Sequence, residues 1–65
     1  MDTSTREMVS QAYDETVAEA MAQGHNTDVA HKEGITAAAM FLASMQGTDD
    51  ATARALIEAL GLTPQ

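Results

Sequence analysis

Apolar positions recur along this 65-residue chain in three blocks of helical spacing, separated by short polar segments. The most apolar block, Gly34 to Gly47, reads GITAAAMFLASMQG. It carries only three polar side chains, Thr36, Ser44 and Gln46, and no charge. A helix apolar over so much of its circumference needs cover from more than one side. This block is therefore expected to be the central helix of a small bundle, with the other segments covering it.

The first block predicts a helix over residues 4–23. Ser4-Thr5-Arg6-Glu7 has the pattern of a capping box, in which the serine hydroxyl and the glutamate carboxylate satisfy each other's backbone amides. Val9, Tyr13, Val17 and Ala20 form an apolar stripe, flanked by Ala12, Thr16 and Met21. Glu7, Asp14, Glu15 and Glu19 fall on the opposite side with Gln11, Ala18 and Ala22. Gly24 is placed to end this helix, because glycine adopts the left-handed conformation that closes many helices.

His25-Asn26-Thr27 is a short connection, so the next helix must return antiparallel beside the first. Asn26 or Thr27 can cap it, with Asp28 in its first turn. Ala30, His31, Gly34, Ile35, Ala38, Phe41, Leu42 and Met45 predict its broad buried face. Val29, Met40 and Ala43 make a smaller apolar patch nearly opposite. Gly34 and Ala38 would admit a close neighbour, and a break or kink at Gly34 is the competing expectation.

Gly47 should stop the second helix and Thr48 should cap a third of about 12 residues, with Asp49 and Asp50 in its first turn. Ala53, Leu56, Ile57 and Leu60 predict its buried stripe. Asp50 and Arg54 stand at i,i+4 for an ion pair. Gly61-Leu62 followed by Pro64 predicts a closed end with Leu62 folded back. No stretch alternates with period two. The expectation is one all-α domain over 1–65: a three-helix bundle, made of a long antiparallel hairpin plus a shorter third helix. A chain this short is marginal alone, and two wide-faced antiparallel helices predict pairing into a homodimer with a four-helix core.

Charge narrows the partners. Ten carboxylates stand against Arg6, Lys32 and Arg54, for a net charge of −7. That balance argues against nucleic acid, which needs clustered cations, and against anionic membrane surfaces. It admits a basic protein partner. The absence of cysteine excludes disulfides and thiolate metal sites. The opening MDTSTREMVS lacks the blocks of a signal peptide, and a cytoplasmic location is expected.

Candidate chemistry is sparse. No cysteine nucleophile, Gly-rich phosphate loop or GxSxG elbow is present. No enzymatic activity and no cofactor are expected. The one constellation with ligand spacing is Asp28-x-x-His31, with His25 and the acids Glu15 and Glu19 of the first helix near enough in an antiparallel hairpin to join it. Helical bundles hold metals through carboxylate-x-x-His pairs, but this motif occurs once and without a second copy, so no metal ligand is assigned. The sequence fits best a small acidic interaction protein, a regulator or accessory subunit. Its expected docking residues are Glu7, Met8, Asp14, Glu15, Glu19 and Met40, methionine being adaptable at contact surfaces. A self-assembling bundle binding a divalent metal through Asp28 and His31 is the alternative. An inhibitor of phage type whose acidity mimics nucleic acid is a further one.

Overall fold

The structure is a computed structural model and describes residues 1–64. Three helices follow in order: α1 (Thr3–Ala22), α2 (Thr27–Gln46) and α3 (Asp50–Ala59). α1 and α2 form the hairpin. α1 packs on α2 and α3 packs on α2, while α1 and α3 make no more than marginal contact with each other. The longest dimension, 33 Å, is about the length of a 20-residue helix.

α2 runs unbroken through Gly34, so the expected alternative of a kink there is not realised. It is central in the sense the sequence implied, with one neighbour on each of two flanks. The core consists of Val9, Tyr13, Val17 and Ala20 from α1, Ala30, Ile35, Ala38, Ala39 and Leu42 from α2, and Ala53 and Ile57 from α3. Leu60 and Leu62 pack against it from the end of the chain. Tyr13, Leu42, Ile57 and Val9 are the largest side chains fully withdrawn from water. Burial of a Leu or Ile in this way stabilises the fold by about 1.5–3 kcal/mol each.

Gly34 decides how closely α1 and α2 approach. A Cβ at this position would stand 2.7 Å and 2.8 Å from the Tyr13 ring carbons and 2.8 Å from a Val17 methyl. The helix therefore forgoes about 1 kcal/mol of propensity in return for direct contact between backbone and the α1 stripe.

The helix starts differ from expectation at two of three ends. Asp2, not Ser4, caps α1: its Oδ1 accepts from the Thr5 amide at 2.8 Å, and Ser4 lies inside the first turn. Asp49, not Thr48, caps α3, accepting from the Thr52 amide at 3.1 Å. The Thr48 hydroxyl donates instead to the Asp49 carbonyl. In both cases a carboxylate displaces a nearby hydroxyl, because it adds charge to the hydrogen bond where the helix dipole favours an anion. Asn26 caps α2 as expected, accepting from the Val29 amide at 2.9 Å.

At the other ends, Gly24 takes φ +93°. The His25 amide donates to the Ala20 carbonyl and the Gly24 amide to that of Met21, the paired bonds of a Schellman closure. α3 has 10 residues, fewer than expected.

The buried faces also need correction. Phe41, Met45 and Leu56 were expected inside, yet each is exposed. Ala39 is buried in their place: Arg54 of α3 reaches Thr36 of α2, one turn from Ala39, so α3 lies over the arc on that side. Phe41 falls on the far edge of that arc and Met45 in the last turn. No helix among the described residues is long and apolar enough to cross a membrane.

Two outcomes follow. Gly34→Ala should destabilise the protein by about 1–3 kcal/mol, the usual cost of overpacking, despite alanine's higher helix propensity; a thermal melt reads this as a drop of about 4–8 °C per kcal/mol. The second concerns the caps. Hydrogen bonds from Thr5 lower the Asp2 pKa and those from Thr52 lower that of Asp49. A carboxylate with a depressed folded pKa contributes stability that is present above its unfolded value and lost as pH falls through the folded one. Helicity should thus decline on acidification below about pH 4, and Asp49→Asn, which keeps the cap oxygen, should flatten its share of that decline.

Candidate interaction surfaces

The stripe Val9, Tyr13, Val17, Ala20 turns toward α2, which leaves the opposite side of α1 in water. Glu7, Asp14, Glu15 and Glu19 all stand exposed there. Glu15 accepts from the Gln11 amide at 3.4 Å and Glu19 from that of Gln23 at 3.5 Å, both along the same helix. Met8 is exposed on the same side of the helix. Met40 is the most exposed large apolar side chain, at 62 %, but it belongs to α2. The six expected docking residues therefore divide between two surfaces: a carboxylate row on α1, and an apolar position on α2.

Where the hairpin closes, Tyr13 and His31 meet. The Tyr13 hydroxyl and His31 Nδ1 are 2.6 Å apart, and the rings pack edge to face with centroids 5.6 Å apart. Tyr13 is fully buried, so its hydroxyl proton needs an acceptor inside the protein. Nδ1 is the one acceptor it has. Tyr13 therefore donates to Nδ1, which places the imidazole hydrogen on Nε2. Burial, and secondarily the negative charge of Asp14, raise the Tyr13 pKa above its ordinary value. This pair went unforeseen. A signal for it existed: a histidine on an apolar face needs a polar partner, and the Tyr13 hydroxyl is the polar group at the centre of the facing stripe.

His31 also lines an open cleft of about 570 Å³ with Thr27, Asp28, Lys32, Leu62, Thr63 and Pro64. Asp28 and His31 thus share one concavity. His25 is exposed in the connection. No group of three His, Cys, Asp or Glu side chains is placed to hold a metal ion among the described residues, so Glu15 and Glu19 do not complete a ligand set with Asp28 and His31.

Arg54 was expected to pair with Asp50. Its Nη2 instead donates to Thr36 Oγ1 at 3.1 Å, and the Thr36 hydroxyl donates to the Lys32 carbonyl at 3.0 Å. The arginine thereby links α3 to α2, and one of the three cations of the chain is engaged within the fold.

No protein-family model matches this chain, and no significantly similar curated protein or solved structure was found.

The tyrosine supplies a pH test. A group whose folded pKa lies above its unfolded one contributes stability that is complete below the unfolded value and lost as pH rises through the folded one. For Tyr13 that loss should begin near pH 10. In Tyr13→Phe the alkaline loss should disappear, and stability at pH 7 should fall by about 0.5–1.5 kcal/mol for the missing hydrogen bond. Denaturant melts at pH 7 and pH 11 measure both.

Proposed function

We propose that this chain is a small acidic interaction protein without chemistry of its own, acting as a regulator or accessory subunit of a partner protein with a basic surface. The observation that carries this reading is the row Glu7, Asp14, Glu15 and Glu19 on the water-facing side of α1. From Glu7 to Glu19 these carboxylates extend over about 18 Å of α1, a little over three helical turns. Carboxylates held on a rigid helix raise the encounter rate with cations and fix the orientation of docking.

The one histidine with a fixed partner, His31, is engaged with Tyr13 in holding the hairpin. Its ring lines the cleft with Thr27, Asp28, Lys32 and Thr63.

Affinity capture from the native cell, followed by identification of the bound protein, tests the proposal. The partner should carry a basic surface, and its retention should fall as added salt shortens the Debye length below about 10 Å. The combined variant Asp14→Asn, Glu15→Gln, Glu19→Gln should lose most of that retention while keeping its circular dichroism. Full retention by this variant, with no effect of salt, would overturn the assignment of the α1 row.

A further inference from the structure

Two polar side chains meet inside the hairpin, and they stand in different surroundings. Tyr13 has no exposed surface. It sits in the middle of the α1 stripe, with Val9 and Val17 on either side in the buried cluster, and its ring lies against the α2 backbone at Gly34. A group so enclosed exchanges no hydrogen bond with bulk water. Among the described residues its hydroxyl has one partner, His31 Nδ1 at 2.6 Å. His31 is only half-buried. One edge of its ring meets the tyrosine, and the ring also lines the open cleft at the start of α2.

This bond works in one protonation state. The neutral ring, with its hydrogen on Nε2, offers the Nδ1 lone pair to the tyrosine proton. The imidazolium is a donor at both nitrogens. Two hydrogens then meet between the oxygen and Nδ1. The tyrosine oxygen could turn to accept from Nδ1, but its own proton would need a second acceptor, and the hydroxyl makes no second hydrogen bond among the described residues. A buried donor stripped of its partner costs the full desolvation of that group, and a charge at the edge of an apolar core adds to the cost. Proton uptake by His31 therefore opposes the packing of α1 on α2 at the point of their closest approach.

The neighbouring charges do not reverse this. On α2, Asp28 and Lys32 line the same cleft; they carry opposite signs, so their effects on a charged ring offset. On α1, the nearest carboxylate in sequence is Asp14, exposed on the water side of the helix. His25 is exposed in the connection. The end of the chain brings Leu62, Thr63 and Pro64 to the cleft, none of them charged, and α3 contributes nothing to its lining. Among the described residues no carboxylate is hydrogen-bonded to the ring, so no ion pair replaces the bond that is lost.

We propose that the Tyr13–His31 bond is a proton-operated latch on the hairpin. It holds α1 against α2 while His31 is neutral, and its hold weakens when the imidazole takes up a second proton. The latch stands independently of the acidic-row proposal, because it is read on the chain alone. It is also separate from the acid loss at the helix caps, which lies below about pH 4.

The test compares thermal melts of the full chain at about pH 7 and about pH 5, either side of the ordinary histidine range. The variants are His31→Gln, whose amide oxygen accepts from the tyrosine and does not titrate, and His25→Gln. Between the two pH values the wild type should lose about 4 °C or more relative to His31→Gln, the shift expected for one broken buried hydrogen bond in a domain of this size. His25→Gln should behave as the wild type. A wild type whose melting temperature tracks that of His31→Gln across the interval would overturn the proposal. Nuclear magnetic resonance of the wild type gives a reading that does not depend on how well the variants fold. At about pH 7 the His31 ring should show a bare Nδ1, a protonated Nε2 and a Tyr13 hydroxyl proton protected from exchange. That protection should vanish once the ring is doubly protonated, and a Tyr13 proton still protected beside a doubly protonated ring would equally sink the latch.

Discussion

The structure depends on the closeness of α1 and α2, and that closeness depends on a missing Cβ. At Gly34 the α2 backbone lies against the Tyr13 ring and a Val17 methyl, at distances no larger residue tolerates. Everything else in the hairpin follows from that spacing. Ala20, Ala30 and Ala38 belong to the buried cluster, and side chains this small reach across an interface only where the helices are near. An alanine buries little area, so its contribution comes from dispersion at short range. Held apart by one methyl group, the same side chains would face each other across a gap. The spacing also brings the Tyr13 hydroxyl within reach of His31, converting two polar groups on apolar faces from a cost into a hydrogen-bonded pair.

α3 solves a different problem. The hairpin alone would leave Ile35, Ala39 and Leu42 open on the side away from α1. Ala53 and Ile57 close it, and Arg54 adds a polar tie through Thr36. With Asp49 as its cap and Leu60 and Leu62 packed at its end, a helix of ten residues, too short to persist by propensity, is held by contacts along its length. α2 is consequently the shared element: each cover meets it, and the covers hardly meet each other.

Much of this was legible in the residues. The three blocks, the antiparallel return at His25-Asn26, the stop at Gly24 and the central role of residues 34–47 follow from period and punctuation. What was not legible was rotational detail. A helical wheel shows that Phe41, Leu42 and Met45 share an arc with Ile35, but it does not say where along that arc a neighbour's axis lies. The position of α3 moved the covered arc toward Ala39, leaving Phe41 and Met45 outside. Cap choice failed for a related reason: Asp2 and Ser4 satisfy the same local rule, and the competition turns on charge. The surfaces were legible as surfaces. Glu7, Asp14, Glu15 and Glu19 could be placed on the outer side of α1 from spacing, while no feature of the chain states what meets them.

Because the covers are joined only through α2, order in this small domain need not be lost all at once. α3 can swing away while the hairpin, pinned at Gly34 and at the Tyr13–His31 bond, stays closed. Such an opening would bare Ala39 and Leu42 along a second stripe of α2, adjacent to the helix surface that already carries Met40. The short arm begins just past Gly47, whose φ of +68° gives the chain its bend. In amide exchange, its protons would trade with solvent ahead of those in the long pair.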